Sequence, residues 1–495
     1  MSPIVRNVVR RGCYLDSVAL MRLSREVARL AGVEDAALMM ATPANKAILA
    51  EAGLIDPDGH SAGANDLILA VRARGAEAAD AALAAAARRL ERQASAAGNA
   101  ALAKHPRSLR TALGIQPGAN LALISVPGDY AAGEARKALG LGLDVMIFSD
   151  NVPLAEEVAL KREGKALGRL VLGPDCGTAI IGGTPLAFAN RVPRGDIGLI
   201  GASGTGLQEV SCLIAAAGRG ISHAIGVGSR DLCREVGALS TLAAIELLDA
   251  DPATARIVLI SKPPHPEVVP SVLARVGQSR KHFTVCFLGA EAIKLPSNAT
   301  AAATLSAAAE QVLGASLAAV PTTLPRPAPR QGGILGLYAG GTLAAEAQLV
   351  LLAAGRTVAS NAAVPGAHAL ESAPAEADRI IDLGADQFTR GRPHPMIDPG
   401  VRSDRLRRAL AEANTAVILL DLVLGLGAHP DPAREVAAVL AGAPAARPPL
   451  VASVTGTEAD PQVRSRQVGS LNAAGVLLAP SNAGAAALAV ALTGG

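Results

Sequence analysis

The sequence has 495 residues, of which half are hydrophobic and only 2% are aromatic, and it contains no tryptophan. This length predicts three or four domains, and a composition rich in Ala and Gly suits helices packed closely on parallel sheets. The formal net charge of +3 is small for this length. The sequence also lacks a basic stretch interleaved with aromatic residues, so it has no feature typical of a nucleic-acid-binding protein.

The five cysteines are scattered and form no C-x-x-C pair. A disulfide framework or a zinc site is therefore not expected, and we predict no metal site. The first residues lack the long apolar segment of a secretory signal, and we find no charge-free apolar run long enough to span a membrane. These features predict a cytoplasmic protein with no membrane or nucleic-acid partner.

The first region, residues 1–113, is predicted to be a small α+β module. Its apolar segments 33–40 and 67–73 are typical of strands. Helical spacing is found at 14–30, after Thr42-Pro43 and at 76–97. The resulting β-α-β pattern contains two strands.

The second region, residues 114–190, alternates short strands with helices, which predicts a parallel, doubly wound sheet. Ligands bind such sheets at the carboxyl ends of the strands. The candidate ligand-binding residues at those ends are Pro127, Gly128, Asp175 and Cys176. Cys176 has no histidine near it in the sequence, so the alternative to a reactive thiol is a small buried one.

The third region, residues 191–318, is organised around a stretch that reads D-I-G-L-I-G-A-S-G-T-G-L-Q-E-V. Its apolar run 197–200 is typical of a buried strand, and helical spacing resumes after the glycines. Between them lie Ser203, Gly204 and Thr205, where a hydroxyl caps a helix and glycine lets an anion approach the backbone. Such a helix start is a ready anion site, so we predict that these residues bind phosphate.

Two further strand ends of this region carry candidate residues. The loop G-V-G-S-R-D offers backbone N–H groups and a cation, and we predict phosphate binding at Gly228 and Arg230. The next strand ends in S-K-P-P-H, where Lys262 is placed to meet an acidic ligand as a catalytic residue. The alternative for Lys262 is a solvated lysine.

A stiff Pro-rich linker, residues 319–332, leads to the last region, residues 333–495, where the same pattern returns. An apolar strand is followed by Gly340, Gly341 and Thr342. The aligned pairs are Gly204 with Gly341, Thr205 with Thr342, and Glu209 with Glu346. We interpret these regions as a first and a second repeat of one α/β domain, whose helix starts face a single phosphate. The alternative is two tight turns without a ligand.

The second repeat contains an insertion, R-G-R-P-H-P-M-I-D-P, with few apolar residues to bury. Loops of this kind often carry function. We predict that His394 and Asp398 act as a general acid/base pair or orient a substrate. The alternative is that both side chains only hold the loop backbone.

Several of these segments resemble the FdrA family, which is related to the succinyl-CoA synthetase superfamily. They are G-P-D-C-G-T, G-A-S-G-T-G-L-Q-E-V, I-G-V-G-S-R-D-L, I-S-K-P-P and H-P-M-I-D-P. The resemblance implies an α/β fold of several doubly wound domains. After the α+β module it places a Rossmann-like CoA-binding-type domain and then two flavodoxin-like domains of the succinyl-CoA-ligase type.

In the synthetases, two helix starts face a phosphorylated histidine, and the resemblance places 203–205 and 340–342 there. The segment after the strand 283–288, which carries that histidine in the synthetases, reads G-A-E-A-I-K-L-P-S-N-A-T here and has none. The glutamate of the synthetase Gly-Glu-x-Gly-Gly segment is replaced by S-K-P-P. No ATP-grasp domain is visible either. These departures disfavour a nucleotide-driven ligase that works through phosphohistidine.

FdrA-like proteins also resemble subunits of a carbamoyltransferase of allantoin and purine breakdown, which converts oxalurate and phosphate to oxamate and carbamoyl phosphate. This implies a carbamoyltransferase subunit with phosphate as a substrate, no certain cofactor, and other subunits as partners in an oligomer. Lys262 or Arg230 would neutralise charge, and His394 would move a proton. The alternatives are an acyl-CoA synthetase that uses CoA and a non-catalytic scaffold that binds phosphate or CoA.

Overall fold

A computed structural model describes residues 3–13, 15, 17–98, 106, 108–291, 293–317, 330–389, 393–444 and 446–493. These residues form two sheets of three strands and two sheets of seven strands, with helices packed against them. The predicted class, an α/β protein of doubly wound domains with a small N-terminal α+β module, is confirmed. In the described part of the chain, no helix is both long enough and apolar enough to cross a membrane.

The N-terminal module is an antiparallel sheet with helices on it. Its elements are β1 Ile4–Arg10, α1 Ser17–Ala28, β2 Val33–Met40, α2 Pro43–Glu51, α3 Pro57–Ser61, β3 Leu67–Ala73 and α4 Ala76–Gly98. The strand order is β1-β3-β2. The two-strand prediction missed β1, because polar Arg6, Asn7 and Arg10 interrupt its apolar pattern. Asn7 is buried there because it hydrogen-bonds to the Leu54 carbonyl and to the backbone of Asp56.

The Rossmann-like domain is a small parallel sheet of order β4-β5-β6. Its elements are α5 Leu109–Ile115, β4 Leu121–Ile124, α6 Gly128–Gly140, β5 Asp144–Ile147, α7 Leu154–Ala166 and β6 Val171–Leu172. Buried alanines of α6 let that helix lie close to the strands. A hairpin follows, β7 Thr178–Ile181 and β8 Thr184–Ala187. It lies within the predicted 114–190 domain, yet β7 pairs with a strand of the first repeat and extends that sheet.

The first repeat alternates strands with helices. Its elements are β9 Arg194–Gly201, α8 Gly204–Ala216, β10 Ile221–Gly226, α9 Leu239–Ala250, β11 Arg256–Ser261, α10 Val269–Gln278, β12 His282–Phe287, β13 Ala299–Ala301 and α11 Leu305–Leu313. The strand order is β13-β12-β11-β9-β10-β7-β8. The strands β9 to β13 therefore follow the 2-1-3-4-5 order of flavodoxin-like domains.

The second repeat has the same strand order with two additional edge strands. Its elements are β14 Gly333–Tyr338, α12 Gly341–Ala353, β15 Val358–Ser360, β16 His368–Ala369, β17 Asp378–Asp382, α13 Asp386–Thr389, α14 Gly400–Ala409, β18 Thr415–Val423, α15 Pro432–Ala441, β19 Leu450–Thr455, α16 Arg464–Ala473, β20 Leu477–Ala479 and α17 Asn482–Leu492. The strand order is β16-β15-β17-β14-β18-β19-β20. Five strands of each repeat therefore lie in the same order, as the shared motifs predicted.

One hydrophobic core runs through both repeats. Across this core, a buried carboxylate from each repeat accepts a hydrogen bond from the first turn of a helix in the other repeat. Glu209 of α8 accepts the N–H of Asn482, which begins α17 in the second repeat, at 3.0 Å. Glu346 of α12 accepts the N–H of Leu305, which begins α11 in the first repeat, at 2.6 Å. Each repeat therefore caps the last helix of the other, and this fixes how α8 and α12 meet.

Candidate functional site

Each repeat turns from its first strand into its first helix through small residues. In the first repeat, Ser203 is the N-cap of α8, and its Oγ accepts the N–H of Gly206 at 2.9 Å. In the second repeat, Gly340 is the N-cap of α12 and makes no side-chain cap. The buried carboxylate of Asp421 accepts the N–H groups of Ala339 and Gly340 at 2.8 and 2.7 Å. Further N–H groups of each first turn have no intrahelical acceptor.

The two helix starts are in contact. The hydroxyls of Ser203 and Thr342 lie 2.6 Å apart and are buried. A Cβ added to Gly340 would lie 3.1 Å from the Cβ of Thr205. The N-terminal ends of α8 and α12 each carry a partial positive charge, and two such ends held together favour an anion beside them. The structure thus brings together the residues 203–205 and 340–342, and their binding of phosphate stays a prediction.

Lys262 and Asp382 flank the second helix start. A Cβ added to Gly341 would lie 3.5 Å from the Lys262 ammonium and 2.7 Å from a carboxylate oxygen of Asp382. Burial raises the pKa of Asp382, and the charge of Lys262 opposes that rise. The Lys262 side chain is otherwise exposed at the end of β11. Its predicted role toward an acidic ligand stays a prediction.

His394 approaches the same edge from the inserted loop. Its Nδ1 accepts the N–H of Met396 at 3.2 Å, so the imidazole proton resides on Nε2. A Cβ added to Gly384 would lie 2.7 Å from that Nε2 and 3.2 Å from Oδ1 of Asp382, so both groups converge on Gly384. Burial lowers the pKa of His394 to about 4. The half-buried imidazole is therefore a neutral N–H donor at pH 7.

Asp398 occupies a different position from the one predicted for an acid/base pair with His394. Its carboxylate forms an ion pair with Arg25 of the N-terminal module at 2.8 Å and accepts the N–H of Gly400 at 2.8 Å. Only its backbone N–H reaches His394, at the carbonyl oxygen. The carboxyl group that shares Gly384 with the imidazole belongs to Asp382. The loop residues 390–392 lie outside the described part of the chain.

Gly228 and Arg230 join the first repeat to the Rossmann-like domain. Arg230 donates to Glu157 at 2.9 Å and to the carbonyl of Val152 at 2.8 Å. Gly228 has a φ of +90°, and a Cβ there would collide with the Pro174 carbonyl. The Arg230 guanidinium is thus engaged in holding the two domains together, and its role toward phosphate stays a prediction.

The strand ends of the Rossmann-like domain face the second repeat. Pro127 is the N-cap of α6, and Gly128 lies against the backbone of Asp150. Burial raises the pKa of Asp150 and of Asp175, and the nearby carboxylate of Asp386 in the second repeat raises both further. The carboxylates of Asp150, Asp175 and Asp386 are therefore close enough to interact electrostatically at this end of the domain.

Cys176 is a buried thiol. Its Sγ contacts the carbonyl of Gly226 at 3.1 Å. Burial raises the pKa of the Cys176 thiol to about 12, so the group is not a thiolate at neutral pH. This environment favours the structural alternative given above.

Sequence reasoning missed Asp382 and Asp421 as site residues. Asp382 ends β17 in the position that Gly226 holds at the end of β10. A comparison of the two repeats would have shown that a carboxylate replaces a glycine there. Asp421 lies inside the fully buried strand β18, where a lone carboxylate has to serve hydrogen bonds. It meets Ala339 and Gly340, while Arg402 donates to its backbone carbonyl at 2.6 Å.

Two parts of the chain match known domain families. Residues 1–106 match the family described as "AllF, heavy metal-associated domain", and residues 337–492 match the CoA-ligase family. The name of the first family raises the question of whether the module binds a heavy metal. Such metals bind preferentially to soft thiolate ligands. The module contains one cysteine, Cys13. Among the described residues, no group of three His, Cys, Asp or Glu side chains is arranged to hold a metal. The described residues of the module therefore do not fit a heavy-metal site.

Curated relatives extend these matches. The chain is 37% identical to "Uncharacterized protein YahF" of Escherichia coli over 506 residues, which cover 98% of each protein. It is 34% identical over 149 residues to the succinate–CoA ligase [ADP-forming] subunit alpha-2 of Trichomonas vaginalis, which covers 29% of this chain and 47% of that subunit. The match to the ligase subunit thus spans about half of that relative's length.

A solved structure overlaps more weakly. It is the "dinucleotide forming Acetyl-coenzyme A synthetase 1" of Ca. Korarchaeum cryptofilum "in complex with phosphate and ADP". The match covers 75% of this chain and 82% of that chain at 16% identity, with a TM-score of 0.29. The full-length relative decides the classification. The chain belongs to the FdrA-like family that includes YahF, built on a succinyl-CoA synthetase-like scaffold whose second repeat is a CoA-ligase domain.

Proposed function

We propose that this chain is a subunit of a phosphate-dependent carbamoyltransferase, which converts oxalurate and phosphate to oxamate and carbamoyl phosphate. The contact between the helix starts at Ser203 and Thr342 carries the proposal. Two positive helix ends beside the Lys262 ammonium suit a group with the charge of phosphate. A subunit of this kind would work with other chains in an oligomer.

The segment 288–300 supports direct attack by phosphate. It contains no histidine to carry a phosphoryl group. In the proposed reaction, a phosphate oxygen attacks the carbamoyl carbon of oxalurate. The bond from that carbon to the bridging nitrogen breaks, and the nitrogen takes a proton to become the amide of oxamate. The helix starts hold the attacking phosphate and stabilise the negative charge that develops.

His394 and Asp382 take separate roles in this proposal. The neutral His394 donates its Nε2–H to the carbamoyl oxygen and polarises the carbonyl. It does not store a proton, because Nδ1 is occupied by the Met396 N–H and the pKa is lowered. Asp382, whose pKa is raised by burial, retains a proton more readily and supplies it to the leaving nitrogen.

An acyl-CoA synthetase is the second candidate, favoured by the match of residues 337–492 to the CoA-ligase family. The acidic groups Asp150, Asp175 and Asp386 weigh against it. CoA carries several phosphate charges, which carboxylates repel and do not neutralise. The amide N–H groups of an oxalurate-like substrate, in contrast, find acceptors in carboxylates.

The test is product formation by the purified protein, alone and with the proteins encoded beside it. Oxalurate plus phosphate is one reaction mixture, and succinate, CoA and ATP form the parallel one. The proposal expects carbamoyl phosphate from the first mixture only, with the Gly341→Ala variant inactive and the matched Gly133→Ala variant active. Acyl-CoA formation without carbamoyl phosphate would overturn it in favour of the ligase.

A further inference from the structure

The N-terminal module contacts the second repeat close to the candidate site. Two arginines of α1, Arg22 and Arg25, and Arg29 just after that helix contact the second repeat. Arg25 pairs with Asp398 at 2.8 Å and lies 3.7 Å from Glu435, and Arg29 lies 3.9 Å from the same glutamate. Arg22 donates to the carbonyl of Gly427 at 3.3 Å. The N-terminal module thus contacts the segments of the second repeat that lie around His394.

His394 belongs to a short turn, residues 393–398, which we call the His394 turn. The carbonyl of His394 accepts the N–H groups of Ile397 and Asp398 at 2.8 and 3.0 Å, and its Nδ1 accepts that of Met396. The carbonyl of Met396 in turn accepts the N–H of His429 at 2.7 Å. Asp398 is the last residue of the turn. Its side chain accepts the N–H of Gly400 and forms the ion pair with Arg25 from outside the repeat.

We propose that the N-terminal module is a clamp that positions the His394 turn over Gly384, through the ion pair of Arg25 with Asp398. Arg25 and Asp398 are positioning residues, because they act on the imidazole through the turn. The importance of His394 itself rests on the proposed function. The clamp gives the module a task that requires no metal.

The ion pair is suited to this task because it is largely shielded from water. The side chains of Arg25 and Asp398 are only 16% and 14% exposed. Removing one partner of such a pair leaves the other charge poorly solvated, so the turn loses its anchor. The pair of Arg89 with Glu26, at 2.9 Å on the same module, has exposures of 35% and 59% and does not reach the turn. It provides a matched control.

Reactivity of His394 toward diethyl pyrocarbonate, read by peptide mass spectrometry of the full chain, tests the clamp. We expect Arg25→Gln to raise the modification rate of His394 about tenfold, since a hydrogen bond between charged groups is worth roughly that factor. Asp398→Asn, which keeps an acceptor for the Gly400 N–H, should raise it equally, and the double variant should add nothing. Arg25→Lys should restore most of the protection. The exposed His282 and His368 serve as internal references.

An unchanged His394 rate in Arg25→Gln and Asp398→Asn would overturn the clamp. An equal rise in Arg89→Gln would also overturn it, because general loosening of the module would then explain the effect. The readout uses no substrate, so its failure is distinguishable from failure of the carbamoyltransferase proposal, which the product assay decides.

Discussion

Glu346 shows how position in the fold sets the behaviour of a single residue. Its matching partner in the sequence is Glu209, and both are fully buried. Burial raises the pKa of Glu346 to about 7, and the neighbouring charge of Glu209 acts in the same direction. Asn482 and the first-turn N–H of Leu305 oppose that rise by donating hydrogen bonds. At a pH between 4.5 and about 7, Glu346 is therefore mostly protonated in the folded protein and mostly ionised in the unfolded chain.

This predicts a pH-dependent contribution to stability. Between the ordinary glutamate pKa of 4.5 and a pKa of about 7, the folded state binds more protons than the unfolded state. The contribution of Glu346 is thus fully present below pH 4.5 and falls as pH rises through this window, by roughly 3 kcal/mol in total. Urea unfolding should therefore show that the stability difference between the wild type and Glu346→Gln changes from pH 5 to pH 7.5. The exposed Glu91→Gln is the control, and parallel curves for all three proteins would contradict the prediction.

The helix starts are the elements on which the proposed function depends. Ser203 and Ser481 are both serine N-caps, and each accepts an N–H of its own first turn, from Gly206 and Gly484. Their surroundings differ, because the Ser203 hydroxyl also meets Thr342 across the two repeats. The two serines therefore make the same N-cap hydrogen bond, but only Ser203 lies at the contact between the repeats.

Replacing these caps with alanine should separate stability from binding. Ser203→Ala and Ser481→Ala should each lower the free energy of unfolding by about 1 kcal/mol, the usual value of an N-cap. Only Ser203→Ala should also weaken phosphate binding, because its hydroxyl lies at the contact of the helix starts. Urea unfolding and phosphate calorimetry on both variants test this. Equal phosphate affinity in the two variants would rule out a role of Ser203 in the site.

At the scale of the whole molecule, a buried ion network joins the Rossmann-like domain to the first repeat. Lys161 of α7 donates to Glu157 at 2.9 Å and to Asp231 at 2.7 Å, and its side chain is 1% exposed. Arg230 reaches Glu157 from the first repeat. The network holds the strand ends of one domain against the loop that contains Gly228.

Lys161→Met should be strongly destabilising. It leaves two buried carboxylates without their shared cation, at a cost of about 3–5 kcal/mol. Lys165→Met changes an exposed lysine of the same helix and should stay close to the wild type. Urea unfolding of both variants at pH 7 provides the comparison. Equal stability of the two would show that the network does not hold the domains.

The sequence predicted the elements that local patterns specify. Apolar runs located β2 and β3 at their observed bounds, and the repeated glycine motifs predicted two copies of one α/β domain. Local patterns did not reveal β1, whose buried Asn7 finds its hydrogen-bond partners in the distant segment 54–56. They also paired Asp398 with His394 because the two are close in sequence. The partner of Asp398, Arg25, lies more than 370 positions away, and only the tertiary fold brings them together.

Titration calorimetry of inorganic phosphate against the full chain tests whether the two helix starts form a shared phosphate site. A Cβ at Gly341 would intrude between Asp382 and Lys262 at the second helix start, whereas a Cβ at Gly133 meets open space within α6. We expect one phosphate per chain in the wild type and in Gly133→Ala. The affinity should be weaker by about tenfold or more in Gly341→Ala, through loss of charged hydrogen bonds. Equal affinity in all three proteins would place phosphate elsewhere and contradict the shared site at the helix starts.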